Sequence, residues 1–186
     1  DITEYKNPLI SFTYEPGSTM KIFSFMSAIE DPDGLYNGEE LYKSGTIDVA
    51  DYKIKDWNNY GWGSISFDTG FTYSSNVAAV KLAQRLGKRK LTEYYEKLGF
   101  GKQTGIRLAN EASGDIDFEY EVELASASYG QGITVTPIQM IQALTTITND
   151  GTVLQPYIID RVVDSNTGEV AYKGKRTEFE KVYSCL

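Results

Sequence analysis

From Ser18 to Glu30 the chain reads STMKIFSFMSAIE, and its apolar residues Ile22, Phe25, Met26 and Ile29 recur every three or four positions. That spacing predicts a helix with one apolar stripe. Asp31-Pro32-Asp33-Gly34 supplies the stop. A second helix is predicted from Ser75 to Leu86, with Ser74 or Ser75 as its N-cap and Gly87 just past its end. A third covers 90–98 and stops at Gly99, and another lies near 121–128. Thr136-Pro137 makes an N-cap and first-turn pair. Ile138, Ile141, Leu144 and Thr145 follow on one face, until Asn149-Asp150-Gly151 closes that helix. Elsewhere the period changes. Thr46–Val49 and Lys53–Lys55 read as small strands, Gly61-Trp62-Gly63 as an irregular loop, and residues 1–17 as extended chain. Val153 to Val163 is strand-like, 164–168 is a turn, and Glu169 to Tyr172 is the return strand. The pattern is α+β and mainly helical.

Composition narrows the functions open to such a fold. The 186 residues are 41% hydrophobic, enough for one globular core. The net charge of -8 and the lack of a basic run argue against nucleic acid. The tight cluster Lys88-Arg89-Lys90 reads as a helix-end charge group. A single cysteine, Cys185, allows no intrachain disulfide and no cysteine-based zinc site. No apolar run approaches the ~18 residues of a membrane span. The chain contains no histidine, which removes Ser-His-Asp triads, Cys-His pairs and histidine-ligated metals. Any serine nucleophile here needs a lysine, carboxylate or tyrosine as its base.

EPGSTMK, Glu15 to Lys21, offers such a pair. Ser18 and Lys21, three apart on a helix, share one face with Cβ atoms ~5–6 Å apart. A first-turn serine sits in the field of free backbone N–H groups, which favours a developing oxyanion. A partly buried lysine loses basicity and becomes a usable base. Ser-x-x-Lys occurs about as often as chance supplies, so alone it reads as a helix start followed by a solvated lysine. Ser74-Ser75-Asn76 reads as an N-cap, or as a hydroxyl for proton relay beside a substrate-holding amide. Gly130-Gln131-Gly132 is either a turn or a stretch that brings Gln131 to a cleft. Trp57 and Trp62 read as packing residues under a loop, and Glu15 as a group that stabilises the helix N-terminus.

Taken together and in order, these segments resemble one family. Tyr14 to Lys21 is similar to the S-x-x-K segment of penicillin-binding proteins, which commonly reads EPGS-T-x-K. Tyr73-Ser74-Ser75-Asn76-Val77-Ala78 looks like its second motif, S-x-N, and Lys55-Asp56-Trp57-Asn58 before it resembles family sequence. Ala127 to Met140, ASYGQGITVTPIQM, and Asn149 to Pro156 are similar to segments that follow. The resemblance is to the transpeptidase domain of a class B penicillin-binding protein and spans nearly the whole chain. It implies Ser18 as acylated nucleophile, Lys21 as base, Ser74 as proton shuttle, and Asn76 as a substrate and lysine contact. Gln131 is a further candidate lining the cleft. The implied partners are peptidoglycan stem peptides ending in D-Ala-D-Ala, β-lactam antibiotics, and proteins of the division or elongation complex. No metal or cofactor is implied. The implied location is the outer face of the bacterial cell membrane, with an anchoring segment outside this chain.

One part of the family pattern is missing. No K-T-G or K-S-G occurs, and Lys173-Gly174-Lys175 has the wrong order. The expectation is therefore that 1–186 is a partial transpeptidase domain ending before the third motif. It would be the helical part of a penicillin-binding protein and β-lactamase-like fold, without most of its central antiparallel sheet, and weak or inactive by itself. A β-lactam sensor acylated at the same serine, a serine β-lactamase or D,D-carboxypeptidase, and a non-catalytic scaffold stay open as alternatives.

Overall fold

A computed structural model describes residues 6–184, so Cys185 lies outside the described residues. Helix α1 (Pro8–Ser11) is followed by a 3-10 turn (Gly17–Met20) that runs straight into α2 (Lys21–Glu30). Next come β1 (Leu41–Lys43), β2 (Thr46–Val49), β3 (Tyr52–Lys55), β4 (Ser64–Ser66) and α3 (Phe67–Thr72). Helices α4 (Asn76–Lys97), α5 (Glu121–Ala127) and α6 (Pro137–Thr148) follow. Strands β5 (Thr152–Leu154), β6 (Arg161–Val163), β7 (Val170–Lys173) and β8 (Glu178–Lys181) complete the order. The strands pair antiparallel as β1–β4, β2–β3, β5–β8 and β6–β7, with no larger sheet among the described residues. The fold is α+β and mainly helical.

The core is built where α2 meets the first half of α4. Met20, Phe23, Phe25 and Ala28 pack there with Val77, Ala78, Ala79, Leu82 and Ala83, all buried. Each fully buried Phe or Leu contributes ~1.5–3 kcal/mol. The alanines on α4 let the two backbones approach, which fixes the S-x-x-K helix against the segment that starts at Ser75. Helix α4 breaks at Gly87 (φ 72°, ψ 165°), the glycine predicted to end a helix. Its two arms correspond to the two helices expected over Ser75–Leu86 and 90–98.

Several expectations need correction. Pro8–Ser11 is helical, not extended, because Asn7 caps it by accepting from Leu9 N–H, with Pro8 at the first turn. Strands β1, β4 and β8 and helix α3 were not foreseen, being short and of mixed pattern. The stretch Val153 to Val163 is two strands joined by irregular chain. The charge cluster lies just past the Gly87 break, where one arm of α4 ends and the next begins; Arg89 pairs with Glu93, and Lys90 reaches Asp31 (2.8 Å) and Asp33 (2.6 Å).

The apolar stripe on α6 points outward, whereas on α2 Phe25 is buried, Ile22 and Met26 pack half-buried against the core, and only Ile29 is left exposed. Ile29, Ile141, Leu144 and Ile147 are exposed, while Ser24, Ser27, Gln139, Gln142 and Thr146 are buried. The buried polar groups are tolerated because each is hydrogen-bonded, as buried polar groups must be. Ser24 Oγ donates to the Ser128 carbonyl, Gln139 Nε2 to the Lys102 and Ser113 carbonyls, and Gln142 Nε2 to the Leu154 carbonyl. No helix among the described residues is long and apolar enough to cross a membrane.

Candidate active site

Ser18 sits in the 3-10 turn that leads into α2, and Lys21 is the first residue of that helix. At the second position of the turn, the Ser18 N–H has no carbonyl inside the helix to donate to. Lys21 is buried, and its ammonium nitrogen has three partners. It donates to Ser18 Oγ at 3.1 Å, to Ser74 Oγ at 3.0 Å and to the Ser74 carbonyl at 2.6 Å. Burial lowers the lysine to about 8, with the Asp56 charge opposing that fall. The structure thus brings Ser18, Lys21 and Ser74, three of the residues expected from sequence, into one hydrogen-bonded group.

Ser74 reaches Lys21 through an unusual backbone. Its φ is 56°, in the left-handed region that non-glycine residues seldom occupy. Helix α3 ends there in a Schellman motif: Ser74 N–H donates to the Phe71 carbonyl and Ser75 N–H to the Gly70 carbonyl. Glycine is the usual residue at this left-handed position. Ser75 is the N-cap of α4, accepting from Ala78 N–H at 3.1 Å. Ser74 is therefore held between two helix ends, with its carbonyl and its hydroxyl both at Lys21.

The run Lys55-Asp56-Trp57 grips this turn. Asp56 Oδ1 accepts from Ser75 Oγ (2.8 Å) and Val77 N–H (3.1 Å), and Oδ2 accepts from Gly45 N–H (2.7 Å). Trp57 Nε1 donates to the Tyr73 carbonyl at 2.9 Å, and Asn76 Nδ2 to the Lys55 carbonyl at 2.9 Å. The hydrogen bonds of Lys21 go to Ser18 and Ser74, and Asn76 makes none with it. Trp57 is exposed, not buried under a loop, and meets Trp62, which in turn meets Tyr73, as an aromatic group beside Ser74. In sequence Asp56 was visible only within the family-like run, since a lone acid next to a tryptophan gives no sign of burial.

A second grip comes from the YGQG segment. Gly17 N–H donates to the Gly130 carbonyl at 2.9 Å. A Cβ on Gly130 would lie 2.2 Å from the Gly17 carbonyl oxygen, and its φ is 79°, so only glycine fits this approach to the turn that carries Ser18. Glu15 accepts from Gly132 N–H, so it ties the two segments together instead of capping the helix. Tyr14 and Val135 exchange backbone hydrogen bonds on the same side. Gln131 is in the turn itself and exposed; its N–H donates to the Ser126 carbonyl, and its side chain makes no hydrogen bond among the described residues. The Ser18 group does not include it.

A buried lysine joined to two serine hydroxyls can accept a proton from one and pass it through the other. Among the described residues no cluster of His, Cys, Asp or Glu could hold a metal ion. The comparisons with known proteins agree with the chemistry. The family model described as the penicillin binding protein transpeptidase domain matches residues 1–183. Stage V sporulation protein D of Bacillus subtilis is 37% identical over 165 residues, 87% of this chain and 25% of that protein. Peptidoglycan D,D-transpeptidase FtsI of Escherichia coli is 29% identical over 167 residues, 88% of this chain and 28% of that protein. The crystal structure of penicillin binding protein 2X from Streptococcus thermophilus superposes with a TM-score of 0.88 at 37% identity, over 97% of this chain and 27% of that one. The chain spans about a quarter of the length of these relatives.

Proposed function

The chain belongs to the penicillin-binding protein transpeptidase domains, and on that premise we propose that it holds the acylating part of a peptidoglycan D,D-transpeptidase site, with Ser18 as nucleophile. The observation that supports this most is the buried Lys21 nitrogen, hydrogen-bonded to both Ser18 Oγ and Ser74 Oγ. With its lysine lowered to about 8, roughly a tenth of the molecules hold a neutral amine at pH 7. That amine takes the Ser18 proton as Oγ attacks the carbonyl of the penultimate D-Ala of a stem peptide. The Ser18 N–H donates to the oxyanion that forms. Collapse breaks the peptide bond, and the leaving D-Ala amine receives its proton from Lys21 by way of the Ser74 hydroxyl. The acyl-enzyme is then resolved by the amine of a second stem peptide, with the same groups moving protons in reverse. Beta-lactams acylate Ser18 by the same attack, but the opened ring stays attached. Asn76 and the exposed Gln131 flank the group and are assigned to the peptide chain of the substrate. On this reading the reaction runs on the outer face of the bacterial membrane, alongside proteins of the division or elongation complex.

The third motif is assigned to a part of the domain that this chain does not contain. Two features support a partial domain: no K-T-G occurs in the sequence, and Ile141 and Leu144 on the apolar stripe of α6 are left exposed. The second oxyanion donor belongs to that absent part, and loss of one donor costs ~10²–10³ in rate. The test uses a D-Ala-D-Ala peptide and an acceptor amine, with this chain alone and with the protein extended through a K-T-G segment. The extended protein is expected to release D-Ala and form the cross-linked product, and the chain alone to do so at least ~10²-fold more slowly. Hydrolysis without transfer would assign the extended protein to the carboxypeptidases, and equal rates would overturn the partial-domain reading.

A further inference from the structure

Behind the Ser18 group lies a buried carboxylate that the steps above leave idle. Asp56 is buried, and its three donors are Gly45 N–H, Ser75 Oγ and Val77 N–H. All three are neutral. A carboxylate buried on neutral donors is costly unless a cation shares its surroundings. Lys21 is the cation that feels the Asp56 charge. The same carboxylate holds Ser75 and Val77, the residues on either side of Asn76, so it fixes the turn from which Ser74 reaches the lysine.

On the reading of Ser18 and Lys21 as nucleophile and base, we propose that Asp56 is a positioning residue for acylation. It locks the left-handed Ser74 turn against Lys21, and its buried charge is the counter-ion of the ammonium that forms when Lys21 takes the Ser18 proton. Two consequences follow from one side chain. Without the charge, the ammonium loses support and Lys21 gives up its proton at lower pH. Without the hydrogen bonds, Ser74 loosens, and a displacement of about 1 Å at such a group costs up to ~10²-fold in rate. The groups that face the pair are few. Around Lys21 they are Ser18, Ser74 and Asp56. On the Asp56 side Tyr42 adds a hydroxyl pushed up to about 12, chiefly by burial, which stays neutral through the working range.

The test is the pH dependence of penicillin acylation in the protein extended through the K-T-G segment. Wild type is expected to show a rise in rate with pH as Lys21, its basicity lowered by burial, loses its proton. Asp56→Asn keeps the shape but removes the charge, and turns an amide N–H toward Gly45 N–H. Its rise is expected to move down by about half a pH unit or more, with a plateau about tenfold lower. Ser75→Ala breaks a bond of the same network but keeps the carboxylate. Its plateau is expected to fall while its rise does not move down. A purely structural role would lower both plateaus and leave both midpoints in place. The proposal is overturned if the Asp56→Asn rise coincides with that of wild type, or if Ser75→Ala moves down. If Asp56→Asn does not fold, a downward move in Ser75→Ala still overturns it. A wild type that is not acylated at Ser18 fails the functional assignment, and is thereby distinct from failure of this one.

Discussion

Ser74 occupies a position where the local backbone favours glycine. It is the left-handed residue of a Schellman motif, yet it carries a hydroxyl that accepts from Lys21, as the proposed proton relay requires. Ser74→Gly is therefore expected to raise stability in urea by about 0.5–1 kcal/mol while β-lactam acylation falls at least tenfold; a destabilised variant would contradict this account of the turn. Lys21 carries a similar conflict. It is lowered to about 8 in the fold by burial, against about 10.5 unfolded. The unfolded chain therefore binds more protons between those values, and stability rises with pH across that window. Below pH 8 the buried ammonium costs on the order of 3 kcal/mol. Lys21→Met removes this dependence. The stability difference between wild type and Lys21→Met should shift in favour of wild type from pH 8 to 10.5, and a difference constant with pH would contradict it. Ser18 and Lys21 could be singled out in the sequence because the SSN and YGQGITVTP segments follow them in the family's order; the Ser-x-x-Lys spacing alone is no more than chance supplies. The burial of Asp56 and the left-handed Ser74 could not, because both depend on a segment far away in the chain.

At the scale of elements, local signals were read well and directions poorly. The Ser75 cap, the Thr136-Pro137 start and the Gly87 break are local, and all three are where the pattern put them. Gly87 also has a backbone conformation, φ 72° and ψ 165°, that is essentially restricted to glycine, although a Cβ would meet nothing within 4 Å. Gly87→Ala is thus expected to destabilise the chain by about 1–3 kcal/mol through the backbone alone; a change within ~0.5 kcal/mol in urea unfolding would contradict it. The stripe on α6 gave the helix but not the face it buries, while on α2 the stripe found Phe25 in the core but missed the buried serines beside it. Periodicity shows that a face is apolar, not which neighbour covers it, and here hydrogen-bonded Ser24, Gln139 and Gln142 face inward instead. Strands β1, β4 and β8 escaped the pattern because three or four residues are too few to set a period of two.

For the molecule as a whole, the strands among the described residues pair only in twos, and the family match over residues 1–183 places the chain in the transpeptidase domains. The reading of 1–186 as a partial domain, first suggested by the absent K-T-G, is the proposal that the comparison with the extended protein tests. The proposed reaction turns on one oxygen, Ser18 Oγ, 3.1 Å from the Lys21 nitrogen. The most direct measurement is peptide mapping by mass spectrometry after reaction of the extended protein with penicillin. The account predicts a single covalent adduct on Ser18, absent in Ser18→Ala and strongly slowed in Lys21→Met. An adduct that persists in Ser18→Ala, or that maps to another residue, would contradict it.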